Sequence, residues 1–275
     1  MNDCRTDLAL ESVSGLAEQH TGFSRHQRGH YFEITEIRIT DAETGKAFGK
    51  PEGNYITLSG ESLSGFSAHY PEMTEEFAQE LRNLLPEEGL VFVAGLGNQH
   101  ITPDALGVQT VEKIIATRHL QKELSQEDEE FLKHLRPVST LAGGVLGQTG
   151  IESAELIQAV CRQIHPSVVI AVDALACTAP ERLGRTIQIA DTGIAPGSGV
   201  SNHRTALNRE TLGIPVIGIG VPTVINTKYL SETAPEMTVA PRDIDRLITQ
   251  AAHLLGCGIN LAVQPEMRYE DIVNF

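Results

Sequence analysis

Leu90-Val91-Phe92-Val93-Ala94-Gly95-Leu96-Gly97-Asn98-Gln99-His100-Ile101-Thr102-Pro103-Asp104-Ala105-Leu106-Gly107 is the stretch that decides the fold. Its apolar start, 90–94, reads as a buried strand, and Gly95-Leu96-Gly97-Asn98 ends that strand with residues that tolerate positive φ. Thr102 and Pro103 read as the N-cap and first position of a helix. Leu106, Val108, Val111, Ile114 and Ile115 continue it as an amphipathic face. Asp104 then falls in the first helical turn, just past a strand end, where α/β proteins collect ligands and chemistry.

Working outward toward the N-terminus, residues 1–30 are polar and irregular, with Arg5-Thr6-Asp7-Leu8-Ala9-Leu10-Glu11 as a short extended or helical piece. Alternation of Phe32, Ile34, Ile37 and Ile39 predicts a strand over 31–39, and 55–58 a second, with glycine-rich turns at 45 and 49–53 between them. Helical periodicity covers 73–85 and stops at Pro86. On the C-terminal side, 125–130 is a charged stretch that reads as an exposed helix start. The glycine density of 142–150 predicts a tight path, followed by a helix over 152–164. A strand over 168–172 has Asp173 at its end, and a second strand over 186–190 ends at Asp191-Thr192-Gly193. A strand over 215–222 and a closing helix over 241–255 complete the chain. Strands alternating with helices predict one α/β domain over 1–275: a mostly parallel central sheet flanked by helices, with a small β-containing extension at the N-terminus.

Composition narrows the function. The formal net charge of −15 argues against direct nucleic-acid binding, which wants basic patches. No apolar run reaches the ~18 residues of a membrane span, and the start lacks a secretory pattern, so a cytoplasmic location is expected. Cys4, Cys161, Cys177 and Cys257 are scattered without a C-x-x-C pair, which suits a reducing compartment and buried packing roles.

Asp104 and Asp173 end two core strands of one sheet. Carboxylates brought together repel, so their ionisations separate and one serves as base while the other donates a proton. That chemistry supports amide hydrolysis without a nucleophilic Ser or Cys. The bland alternative for Asp104 is a helix-start carboxylate stabilised by the dipole. It is weaker for Asp173, because an Asp directly after Val-Val-Ile-Ala-Val is costly to bury. Asp191 is a third candidate, with an Asx-type turn as its rival. Gly143, Gly144 and Gly147 invite a phosphate-loop reading, but the run lacks the lysine of a P-loop, and Gly95-Leu96-Gly97 lacks a third glycine at dinucleotide spacing. Backbone turns explain both better, although the three glycines could let N–H groups approach a substrate. A metal site from Asp104, Asp173 and His100 or His203 is the other alternative; the His26/His30 spacing lies in a polar segment, and no cofactor or metal is expected.

Several blocks in order resemble the germination proteases of spore-forming bacteria: Arg5-Thr6-Asp7-Leu8-Ala9-Leu10-Glu11, Gly95-Leu96-Gly97-Asn98, Thr102-Pro103-Asp104-Ala105-Leu106-Gly107, Thr117-Arg118-His119-Leu120 and Gly147-Gln148-Thr149-Gly150-Ile151-Glu152. They continue through Ile170-Ala171-Val172-Asp173-Ala174-Leu175-Ala176, Thr186-Ile187-Gln188-Ile189-Ala190-Asp191-Thr192-Gly193-Ile194 and Pro196-Gly197-Ser198-Gly199-Val200. Thr211-Leu212-Gly213-Ile214-Pro215-Val216 and Gly220-Val221-Pro222-Thr223-Val224 complete the series. The resemblance implies an endopeptidase that degrades small acid-soluble spore proteins at germination, working in the forespore or spore core. It implies a zymogen that clips its own propeptide, assembly as a homotetramer, and a fold similar to hydrogenase maturation peptidases and phosphorylase. It places the catalytic aspartates on Asp104 and Asp173 and the processing point at Asp7-Leu8, so that 1–7 is a propeptide. Two departures stand out: the family's long additional segment after 220–224 is missing here, and the implied propeptide is very short. Two rival readings remain: a metal-dependent maturation-type peptidase, and a non-catalytic peptide-binding relative.

Overall fold

Val91–Gly95 forms a strand buried along its whole length, second from one end of the sheet. The computed structural model describes residues 6–13, 22–120, 134–197, 204–231, 233 and 235–274. The helix start expected at 125–130 therefore lies outside the described residues, as do Cys4, His203 and the Ser198-Gly199-Val200 part of one motif.

In chain order the strands are β1 (Phe23–Arg28), β2 (Glu33–Ile39), β3 (Gly53–Ser59), β4 (Val91–Gly95), β5 (Val138–Ala142), β6 (Val168–Cys177), β7 (Thr186–Ala190), β8 (Val216–Asn226) and β9 (Thr238–Val239). The helices are α1 (Ala9–Ser12), α2 (Ala42–Phe48), α3 (Tyr70–Arg82), α4 (Leu106–Val111), α5 (Leu146–Thr149), α6 (Ser153–Ile164), α7 (Arg209–Leu212), α8 (Ile244–Val263) and α9 (Tyr269–Val273). The strands form one nine-stranded sheet in the order β1-β2-β3-β7-β8-β6-β4-β5, with β9 on the far end of β8. β5, β4, β6 and β8 are parallel neighbours. β7 is antiparallel to both β8 and β3, and β1-β2-β3 is an antiparallel meander. The parallel portion expected from the alternation is thus one half of the sheet, and the N-terminal extension joins the same sheet edge to edge through β7.

Period-2 alternation sorts the core onto two faces. Val91 and Val93 of β4 and Val168, Ile170 and Val172 of β6 pack with Phe77 of α3, Leu106 of α4 and Leu254, Leu255 and Ile259 of α8. Phe92, Ala94, Val169 and Ala171 face the other way, against Ala154, Ile157 and Cys161 of α6. Strands buried on both faces read as continuous apolar runs, which is why 90–94 and 168–172 were legible.

Three boundaries differ from expectation where function is concerned. Residues 102–104 form a 3-10 turn and not the first turn of an α-helix; α4 starts after it at Leu106. The cause is a tight hairpin-like closure in which the Asn98 N–H donates to both the main-chain oxygen and Oδ2 of Asp104. Gly97, at φ +98°, permits it, because a Cβ there would lie 1.9 Å from the Asp104 carbonyl oxygen. β6 continues past Asp173 to Cys177, so Asp173 lies within a strand. It is nevertheless the first β6 residue beyond the last pair with β4, Gly95↔Val172, and one flank of β6 is open from there on. The closing helix runs to Val263, well past the expected 255.

Gly107 packs α4 directly onto the sheet: a Cβ would stand 2.2 Å from the Val172 oxygen and 2.5 Å from the backbone of Leu96. Gly107→Ala should lower stability by about 3 kcal/mol, the upper range for overpacking a rigid contact. Urea unfolding should show this as a lower midpoint with an unchanged slope.

Candidate active site

The open flank of β6 makes one wall of a cleft of about 360 Å³. Asp173 reaches it from β6 and Asp104 from the 3-10 turn, with Arg204 and Thr223 beside them. β8 carries a bulge opposite Leu175/Ala176, where Thr223 is the extra residue. The buried Thr223 donates through Oγ1 to the Pro103 carbonyl at 2.8 Å, which ties the Asp104 turn to the strand beside Asp173. Asp104 Oδ2 accepts the Asn98 N–H at 2.9 Å, and Asp173 Oδ1 accepts the Ala174 N–H at 2.9 Å.

Only 5% of Asp173 is exposed, and burial pushes its carboxyl well above the usual carboxylate range, assisted by the negative charge of Asp104. Asp104, partly exposed, is raised by burial as well, against the opposing pull of the Asn98 N–H. The Arg204 guanidinium favours the charged form of both. The arrangement therefore favours one proton held at the more buried group and a charge at the wetter one.

Asp7 lines the same cleft. Its N–H donates to the Ala176 oxygen at 3.1 Å and its Oδ2 accepts the Ala176 N–H at 2.8 Å, so the N-terminal segment runs along the unpaired flank of β6. Leu8 is wholly buried against Leu175, Cys177 and Ile225. Three residues singled out separately, Asp7, Asp104 and Asp173, are thus brought together.

Others are not. Asp191 accepts the Asn54 N–H at 2.8 Å and the Asn54 side-chain amide at 2.5 Å, and so ties the end of β7 to the start of β3. Gly143, Gly144 and Gly147 do not line the cleft; their loop is tied to the turn that carries Asp104 by Gln148, whose Nε2 donates to Asn98 Oδ1 at 2.8 Å. His100 is exposed and outside the lining. Among the described residues no group of three or more His, Cys, Asp and Glu is placed to hold a metal ion. Cys161 and Cys177 are buried, and burial pushes their thiols up to about 11 and about 12, as packing residues require. Arg204 and Thr223 were missed by sequence reasoning: neither stands in a local pattern that announces chemistry.

A sequence model of the germination protease family matches residues 11–234. The germination protease of Clostridium tetani is 36% identical, with 98% of each chain covered. The chain belongs to the germination protease family. The germination protease of Caldanaerobacter subterraneus subsp. tengcongensis is 37% identical over 98% of this chain and 96% of its own, and that of Bacillus subtilis 43% over 81% and 63%. The alignment to the Clostridium tetani protein runs over 322 positions, longer than the 275-residue chain, so that relative carries residues this one lacks. A solved [NiFe] hydrogenase maturation protease, HycI from Thermococcus kodakarensis KOD1, matches over 66% of this chain and 98% of its own at 20% identity and a TM-score of 0.39, too slight a likeness to argue from. Among the described residues no helix is long and apolar enough to cross a membrane.

The raised carboxyl of Asp173 makes a stability prediction. A group whose folded pKa lies above its unfolded value stabilises the fold when protonated, and that contribution is lost as pH rises through the folded pKa. Asp173→Asn, which cannot ionise, should raise the urea midpoint at pH 7. The gain should shrink to nothing as the pH falls below the ordinary carboxylate range.

Proposed function

We propose that this germination protease is an endopeptidase that uses the Asp104–Asp173 pair to hydrolyse small acid-soluble spore proteins in the spore core. We propose further that it is made as a zymogen that first cuts its own Asp7-Leu8 bond. The supporting observation is the placement of Asp7 in the cleft that holds both aspartates, with its backbone bonded along the free flank of β6 as an extended peptide would be. Homotetramer assembly belongs to the same proposal and rests on the family resemblance alone.

In this mechanism the ionised Asp104, the less buried partner, takes a proton from water as its oxygen attacks the scissile carbonyl carbon. Asp173, kept neutral by its burial, gives its proton to the leaving nitrogen. The C–N bond breaks, leaving an amine on one product and a carboxylic acid on the other, which gives its proton to solvent. The two aspartates exchange protonation states in the step, and solvent restores them. Arg204 keeps the pair from taking up a second proton at neutral pH, because its positive charge favours the ionised form at both sites.

Asp104→Asn and Asp173→Asn should each lower the cleavage of a purified small acid-soluble spore protein by about 10³-fold or more, with and without EDTA. Cleavage lost to chelator and restored by a divalent ion would turn both residues into metal ligands of a maturation-type peptidase. Folded wild type that binds the substrate and never cuts it would make the chain a binding relative.

A further inference from the structure

We propose that Lys50 and Gln188 form a two-donor clamp on the carbonyl oxygen of the peptide bond that the aspartate pair hydrolyses. This rests on the reading of Asp7-Leu8 as the self-cleaved bond. Lys50 Nζ donates to the Asp7 carbonyl at 2.8 Å, and Gln188 Nε2 donates to the same oxygen at 3.0 Å. Gln188 Oε1 in turn accepts the Ala9 N–H at 2.6 Å. One buried amide thus reads the carbonyl of one residue and the N–H of the second one after it, and it does so without touching a side chain.

Sheet register puts this clamp opposite the aspartates. Asp173 of β6 and Gln188 of β7 are both paired with Gly220 of β8, which stands between them. Residues directly across from one another share a face, so Asp173 and Gln188 project from the same side of the sheet with their Cα atoms about 10 Å apart. Gly220, between them, contributes no side chain. The peptide carbonyl of Asp7 is held at the Gln188 end of that row, and the Asp7 carboxylate at the Ala176 N–H on the β6 side.

Lys50 is the unusual member. Its ammonium is deeply packed, and its hydrogen bonds go to main-chain carbonyls, Asp7 at 2.8 Å and Thr6 at 3.5 Å. Burial lowers its pKa, against the opposing charges of Asp7 and Glu11. The other titratable neighbour is Tyr55, which lines the same pocket, donates its hydroxyl to the Pro51 carbonyl and is pushed up to about 12 by burial. A buried cation whose shorter hydrogen bond goes to the Asp7 carbonyl suits an atom that becomes negative. When water adds to the Asp7 carbonyl carbon, the C=O electron pair moves onto that oxygen. Lys50 and Gln188 then stabilise the anion until the pair returns and expels the Leu8 nitrogen, protonated by the aspartate acid.

The test follows the appearance of the Leu8 N-terminus by mass spectrometry in full-length wild type, Lys50→Met, Lys50→Arg and Gln188→Leu. Lys50→Met and Gln188→Leu should each slow the cut about 10²-fold or more, the usual loss for one oxyanion donor, with Lys50→Arg retaining most of the rate. The wild-type rate should fall on the alkaline side in two limbs, one as Asp173 loses its proton and one as Lys50 loses its own, below the usual ~10.4 of lysine; in Lys50→Arg the first should remain and the second should vanish. A strap held merely in place would not move the pH profile. If wild type yields the Leu8 end and folded Lys50→Met and Gln188→Leu yield it equally fast, the clamp is overturned while self-cleavage stands. If wild type never yields that end, self-cleavage is overturned and the clamp falls with it.

Discussion

Two carboxyl groups that share one cleft resist carrying a charge at the same time, and much of this structure can be understood as setting them apart in burial. Asp173 is buried because it sits within a central strand; Asp104 is wetter because it sits on a turn. The turn is held to the strand by Gly97, the Asn98 N–H and the hydroxyl of Thr223, none of which ionises. The asymmetry between the two acids is therefore built first from backbone geometry, which sets their burial, and is reinforced by the charge each presents to the other.

The sheet divides the labour. Its parallel half supplies the two aspartates at the level where β4 stops and β6 goes on. Its antiparallel half supplies the seat for the N-terminal segment, through Gln188 on β7 and Lys50 just after α2. A chain with only the parallel half would have the acids without those contacts to the Asp7 carbonyl.

Sequence made the acids legible and the seat illegible, for physical reasons. Val-Val-Ile-Ala-Val followed by Asp173 is conspicuous because a carboxylate interrupts a run buried on both faces. Gln188, in Thr-Ile-Gln-Ile-Ala, looks like any polar residue on an alternating strand, and its partners lie about 180 residues away. β1 escaped notice because Phe23-Ser24-Arg25-His26-Gln27-Arg28 is a largely exposed edge strand with no apolar alternation, held by main-chain pairing to β2. α2 escaped because Gly45 suggested a turn, although Asp41 caps the Thr44 N–H and the left-handed Gly49 closes the helix. Length was misjudged for α8, whose last turns are buried all round and so lose the amphipathic signal that marks its start.

The contacts of residues 6–11 also order events in time. Asp7 bonds Ala176, and Glu11 accepts N–H groups from Thr178 and Ala179 and lies 3.8 Å from Arg182. Residues 7 and 11 thus find these partners only once residues 176–182 have been made, and such distant pairings close slowly. Until then the two acids, one from each half of the chain, are not yet neighbours either. The cleft and the segment that lies in it therefore come into being together.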